Sequence, residues 1–392
     1  MHPEGPMADS MTADDILAGA RGLESEVAAR SADITAMRRL PADLVKRMKG
    51  SGVFRMPMPR AWGGPEMTPR EQIEVVEVLS TADPSVGWCA MIGSDGGFYG
   101  AFLEDSAART LYPDLDHVTA GLLQPAGRAL RVPGGFRVSG RWGFGSGCTH
   151  ADVIIGGCVV FEGDAPVITE MGLPEWRVAI APASSWEILD TWYTTGLAGS
   201  GSHDYTTHDL FVPVEHTFSL FEAPRRKEPL YAFNGMFFAN MHGVPLGLAR
   251  RAIEEVRRLT GEKRSMPDLV LLKDIPRVRA ALARAEMLLG AARAYTYETM
   301  DAVWERLCGG NALDVPLRLA VGLSRVNAFR TAREVTQLMV DTAGTTAIYA
   351  SSPLDRLLRD AVTMCQHVVA QDRMIETLGG MLVGEDLRVP FL

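Results

Sequence analysis

Cysteine is scarce and scattered in this 392-residue chain: Cys89, Cys148, Cys158, Cys308 and Cys365 form no C-x-x-C pair. An odd, dispersed set is neither a disulfide framework nor a zinc signature, and it suits a reducing compartment. Long apolar runs are missing too, none approaching the roughly 18 residues that a membrane span requires. Met1 to Met11 is acidic and polar, without the apolar core of a secretory signal, and Met7 and Met11 are equally good starts. These absences predict a cytoplasmic protein. Positive charge is not in excess, since 39 Lys and Arg face 48 Asp and Glu for a net −9. Such a balance attracts neither nucleic acid nor an anionic membrane, which leaves small-molecule chemistry. No cluster with metal-ligand spacing is present, so no metal is expected.

The dinucleotide fingerprint G-x-G-x-x-G is also absent. Gly143-Phe-Gly145-Ser-Gly147 and Gly196-Leu-Ala-Gly199-Ser-Gly201 come nearest, but neither has the spacing or opens a helix in a βαβ unit. Both read as turns between strands, close enough in backbone to admit a planar ring edge.

What is there falls into three zones of periodicity. From Asp14 to Leu111 the pattern is helical, with Ile16, Ala20, Leu23, Val27 and Ala28 at three-to-four spacing. From Val118 to Pro213 short β-rich runs alternate with turns: Ala129–Val132 and Phe136–Val138 form a hairpin around Pro133-Gly134-Gly135. Val153–Val160, Trp186–Trp192 and Tyr205–Val212 read as further strands. From Phe233 the helical period returns. Leu248, Ala252, Val256 and Leu259 make one stripe, with Glu254, Glu255, Arg257 and Arg258 outward. Val321, Ala328, Ala332, Val335 and Met339 mark another helix. The expected fold class is α+β, mainly α, in three domains: helices over 1–115, a β barrel or sandwich over 116–225, and a four-helix bundle over 226–392. The order excludes a doubly wound sheet.

Five strings then appear in a particular order. They are Met58-Pro59…Gly63-Gly64, Asp83-Pro-Ser85-Val-Gly87-Trp88, and Trp142-Gly-Phe144-Gly-Ser146-Gly147-Cys-Thr-His150-Ala-Asp152. After them come Gly196-Leu-Ala-Gly199-Ser200-Gly201-Ser202-His203-Asp204…Phe211-Val-Pro213 and Gly243-Val-Pro-Leu-Gly-Leu-Ala249. Near the end stands Pro353-Leu-Asp-Arg356-Leu-Leu-Arg359-Asp360, with His367 seven residues on. Over nearly its whole length the chain resembles the acyl-CoA dehydrogenase superfamily. The dehydrogenases commonly place a catalytic glutamate shortly after the R-x-x-R-D segment, where this chain reads Gln366-His367. Their alternative position falls near Phe237–Met241, which also lacks a carboxylate. A histidine in this region resembles the flavin-dependent monooxygenase branch, and so does the D-x-S-x-G-W string.

The resemblance implies an oxygenase component that takes reduced flavin, FAD or FMN, from a separate NAD(P)H:flavin reductase. With O2 it would form a C4a-hydroperoxyflavin and oxygenate a small organic substrate. The alternative is an acyl-CoA dehydrogenase or CoA-thioester oxygenase with bound FAD. The implied flavin contacts are Trp142, Phe144, Ser146, Gly199, Ser200 and Ser202. The implied catalytic residues are His367 and Ser146. Trp88, Asp95 and Tyr99 are the substrate-side candidates. Phenol hydroxylases of this branch often carry a histidine after D-x-S-x-G-W; here none occurs before His117, so a nitrogen, sulfur or non-phenolic carbon centre is comparably expected.

From spacing alone, Arg356, Asp360, Thr363, His367 and Gln371 form one polar stripe on a helix, the pattern of a solvated face. His150 and His203 lie in turns, where a hydrogen bond to backbone is the expected use. The apolar stripes of the long helices exceed what one subunit buries, predicting a homotetramer.

Overall fold

The computed structural model describes residues 11–170 and 172–385. The polar stretch before Met11, read above for signal sequences, lies outside the described residues. Six helices come first: α1 (Ala13–Met37), α2 (Ala42–Gly50), α3 (Pro69–Ala82), α4 (Pro84–Gly93), α5 (Gly96–Gly100) and α6 (Asp105–Leu111). Their starts are chemical. Thr12 and Thr68 form capping boxes with Asp15 and Glu71, and Asp83 accepts the amides of Ser85 and Val86 at the head of α4. Ile16, Ala20, Leu23 and Val27 bury the face of α1 that their period predicts.

The β domain comprises β1 (Thr119–Val132), β2 (Gly135–Gly145), β3 (Val153–Glu162), β4 (Ala165–Pro166), β5 (Trp176–Pro182), β6 (Glu187–Leu189), β7 (His203–Pro213) and β8 (Thr217–Phe218). They pair as one eight-stranded sheet in the order β6-β7-β2-β1-β3-β5-β8, with β4 on β3. The hairpin stands where Gly134 places it, with Val132 opposite Gly135. The sheet curls on itself. Tyr205 of β7 reaches across to take the Leu122 amide and to donate to the Ile155 carbonyl, each at 2.7 Å. Trp142 and Trp186 fill the interior beside it. The strand expected over 186–192 is shorter, because the chain leaves the sheet after Leu189.

The helical period then returns as α7 (Gly243–Glu262), α8 (Pro276–Cys308), α9 (Val315–Ala343), α10 (Pro353–Met364) and α11 (Asp372–Leu382). α7 packs on α3 of the first domain and on α8, α9 and α10 of its own bundle. Leu248, Ala252, Val256 and Leu259 are all buried. Glu255, expected outward, is buried instead and holds Arg258 at 2.6 Å. Among the described residues no helix is long and apolar enough to cross a membrane, and no group of side chains could hold a metal ion.

Candidate active site

The site forms where α4, the β2 and β7 ends, and the turn after α10 converge. Asp83 fixes the start of α4 and is itself held by the Ser31 hydroxyl at 2.6 Å. Gly87 is required there, because a Cβ would lie 1.8 Å from Ser80 Oγ. One residue later Trp88 donates its indole N–H to Ser146 Oγ at 3.0 Å. Ser146 is 2.8 Å from Ser202 Oγ, and Ser202 is 2.7 Å from Ser200 Oγ. Ser200 donates to the Leu197 carbonyl at 2.7 Å.

These contacts fix the direction of the chain. A hydroxyl has one proton and two lone pairs. Ser200 gives its proton to Leu197, so Ser202 donates to Ser200 and Ser146 donates to Ser202. Ser146 and Ser202 each keep one lone pair and no proton. Both therefore face any further partner as acceptors.

The turn carrying Ser200 is bolted to α10. The Leu197 amide donates to Asp360 Oδ1 at 2.6 Å, and Arg359 donates to the Thr195 carbonyl at 2.6 Å. Gly196 fits because a Cβ would lie 2.2 Å from the Arg359 carbonyl. Asp360 is buried, and burial together with the nearby Asp83 charge pushes its pKa up to about 7. The polar stripe read from spacing is thus not a solvated face. α10 ends at Met364, and His367 lies in the turn before α11, stapled by the Ala370 and Gln371 amides on its carbonyl.

His367 meets Trp88 edge-on at 5.5 Å and Phe238 edge-on at 6.1 Å. Phe237 tilts onto Phe238 and onto Tyr99, completing an aromatic wall. Burial, with the Arg325 charge, pushes the His367 pKa down to about 4. Its Nδ1 receives the Val369 amide at 3.5 Å, so the neutral ring carries its proton on Nε2. Asp95 is buried and holds the Tyr99 hydroxyl at 3.0 Å; burial keeps its pKa well above the carboxylate range.

The expected contacts divide. Trp88, Ser146, Ser200, Ser202 and His367 come together. Gly199 lies under them, its Cβ position closed by Ile34 of α1 at 2.3 Å. Asp95 and Tyr99 pair with each other farther along the aromatic wall. Trp142 does not join: it is fully buried, stacked on Tyr205, and spends its N–H on the Gly157 carbonyl at 2.7 Å. Phe144 turns out through a left-handed backbone, φ 59°, to a 65 % exposed position against Trp192. His203 accepts the Thr191 and Trp192 amides, whereas the two ring nitrogens of His150 are buried and neither is paired, contrary to the backbone bond expected for it.

Sequence reasoning missed Phe237, Phe238, His242 and Arg325. His242 is fully buried between the Ala239 carbonyl at 2.8 Å and Ser324 Oγ at 3.3 Å. Arg325 lies over the Phe238 ring at 5.3 Å. Its signal was visible: position 325 falls on the apolar stripe of α9, four residues after Val321 and three before Ala328.

The acyl-CoA dehydrogenase N-terminal domain matches residues 16–103, and the C-terminal domain of that family matches 241–372. The indole-3-acetate monooxygenase of Pseudomonas putida is 33% identical over 359 residues, spanning 91% of this chain and 90% of that protein. This chain belongs to the acyl-CoA dehydrogenase family, in its flavin-dependent monooxygenase branch. The flavin-dependent monooxygenase oxygenase subunit HsaA of Mycobacterium tuberculosis is 27% identical, over 89% of this chain and 90% of that one. The structure of XiaF from Streptomyces sp., in complex with FADH2 and glycerol, superposes with a TM-score of 0.89 at 24% identity. It covers 97% of this chain and 98% of that chain, and so has the same fold. The chain is a flavin-dependent oxidoreductase, a monooxygenase and not a dehydrogenase. Consistent with that, neither position where a dehydrogenase carries its glutamate has a carboxylate here.

Proposed function

We propose that this chain oxygenates a small, non-phenolic aromatic substrate, using reduced flavin delivered by a separate NAD(P)H:flavin reductase. Trp88 carries the proposal: its N–H ends the serine chain at Ser146 while its ring meets His367 at 5.5 Å. One residue thus joins a flavin side to a substrate side.

The serine side fits the reduced cofactor. Ser146 and Ser202 offer lone pairs, and reduced flavin carries N–H at ring position N5 where the oxidised ring carries a lone pair. Ser146, Ser202 and the 199–202 turn would hold that ring, which FAD and FMN share. When bound, reduced flavin and O2 supply an electrophilic oxygen atom. His367 positions the reacting oxygen. Neutral at working pH, it donates a hydrogen bond from Nε2 and keeps that proton as the substrate is oxygenated. Trp88, Phe237 and Phe238 exclude water and offer flat walls to an aromatic ring. Asp95 is buried and spent on the Tyr99 hydroxyl, so it is not placed to take a phenol's proton. The relatives named for indole-3-acetate, 33% identical in two organisms, support a heteroaromatic substrate.

The reductase is assigned to a separate chain because the described residues contain no βαβ dinucleotide unit. A cytoplasmic homotetramer is the proposed form, in keeping with Met287 on α8 and Val315 on α9, which are 74% and 53% exposed in one subunit. Light scattering at micromolar concentration reads the assembly, and a monomer there would count against it. The function is tested by supplying reduced flavin, 18O2 and a panel of indoles and phenols to the purified protein. One labelled oxygen in an indole product is expected, with NADH oxidation only when a reductase is added. Anaerobic bleaching of bound flavin by an acyl-CoA, with no aromatic product, would overturn the reading.

A further inference from the structure

Arg325 is a cation with nothing to hold. The residue is 0% exposed, and Nε, Nη1 and Nη2 have no hydrogen-bond partner among the described residues. Among the described residues no ion pair reaches it either. The acids on the surrounding elements are committed: Glu255 of α7 holds Arg258, Asp360 of α10 holds the Leu197 amide, and Asp95 beyond α4 holds Tyr99. The histidines nearest its charge are no substitute. His242 is tied to Ala239 and Ser324, and both His242 and His367 are pushed toward neutrality, in part by Arg325 itself. Burial lowers the guanidinium to about 10, so it remains charged at neutral pH.

An unpaired buried charge is strongly destabilising. A fold carries that cost where a ligand supplies the counter-charge. The group sits against Phe238, whose ring is also the neighbour of His367, so the cation lies beside the wall proposed above for the substrate ring.

We infer that Arg325 is the anchor for a carboxylate on the substrate, which makes the substrate class an aromatic monocarboxylate. The inference rests on the aromatic-substrate reading. A guanidinium presents a planar fork that pairs with a carboxylate through two parallel N–H bonds. A single guanidinium matches the one charge of a carboxylate. The ring of the substrate then lies along Phe238 and His367 with its acid directed at α9. Arg325 binds and orients; it does not exchange a proton.

The test compares indole-3-acetate, indole-3-acetamide and 3-methylindole binding to flavin-loaded, anaerobic protein by calorimetry. Charge-assisted hydrogen bonds predict that the acid binds about 10- to 100-fold tighter than the amide. Arg325→Gln should remove that preference and leave the amide within about three-fold, with Arg325→Lys restoring part of it. Arg325→Met should raise the thermal midpoint without ligand, because it removes an uncompensated charge; a fall would mean that Arg325 is structurally paired and would overturn the anchor. Acid binding should also raise the His367 pKa, read by histidine NMR in the parent protein, where no variant needs to fold. Equal binding of acid and amide to the parent overturns the anchor alone. Failure of all three ligands to bind overturns the aromatic reading and the anchor with it.

Discussion

Trp88 and Ser146 are joined by a 3.0 Å hydrogen bond in which the indole is the donor, and this fills one lone pair at the end of a hydroxyl chain whose direction Ser200 fixes by donating to Leu197. Trp88→Phe keeps an aromatic edge for His367 and removes only that donor. Ser146 then loses its incoming bond in a buried place. Flavin affinity should fall by about 1 kcal/mol, or more if the lone pair stays unsatisfied. Fluorescence titration with reduced flavin reads this, and unchanged affinity would separate Trp88 from the serine chain.

His367→Ala removes the Nε2 donor. Loss of one positioned donor at a reacting oxygen costs about 100-fold or more, so product formation should collapse while hydrogen peroxide release rises. Flavin affinity should hold, because His367 makes no hydrogen bond to the serine chain. Coupling that survives within a few-fold would reduce His367 to a packing partner of Trp88.

Gly196→Ala tests how the β domain docks on α10. Its Cβ would lie 2.2 Å from the Arg359 carbonyl and 2.4 Å from Thr363 Oγ1. The backbone must move, and the Leu197 bond to Asp360 moves with it. Overpacking of this kind costs roughly 1–3 kcal/mol. Thermal unfolding should drop, and flavin affinity with it because Ser200 is on the same turn. A variant as stable as the parent would show that this turn is loosely docked.

The domain order was legible because helical and alternating periods switch cleanly near residues 115 and 230. So was the β1–β2 hairpin, where Gly134 takes the left-handed turn at φ 81°. Trp142 was legible too, had alternation been followed: Phe136, Val138 and Trp142 share one parity and all face the β interior. Phe144 has that parity as well, but a register shift between Trp142 and Gly145 turns it outward. The end of α10 was hidden, because no glycine or proline marks the break before His367 and the polar spacing runs on through it. Arg325 was legible only in part. A stripe shows that a position faces inward, but only the packing of α9 against Phe238 shows that nothing there answers its charge.

Asp360 gives the last test, through pH. Its folded pKa of about 7 exceeds the usual value of 3.8, so the folded state binds more protons than the unfolded state between those limits. Its contribution to stability is therefore fully present below 3.8 and is lost as pH rises toward about 7. Asp360→Asn keeps an oxygen for the Leu197 amide and cannot ionise. Three histidines, His150, His242 and His367, act in the opposite sense: each is lowered from 6.5, so each destabilises the fold as pH falls below that value. They are common to parent and variant and cancel in the difference. Subtracting urea-unfolding free energies at pH 4.5, 5.5 and 6.5 should show the parent losing ground to the variant by up to about 1.4 kcal/mol per pH unit. Above pH 7.5 the difference should level off. Parallel stability curves across that range would mean that Asp360 titrates normally, and its carboxylate would then be the charged partner of the α10 turn at every working pH.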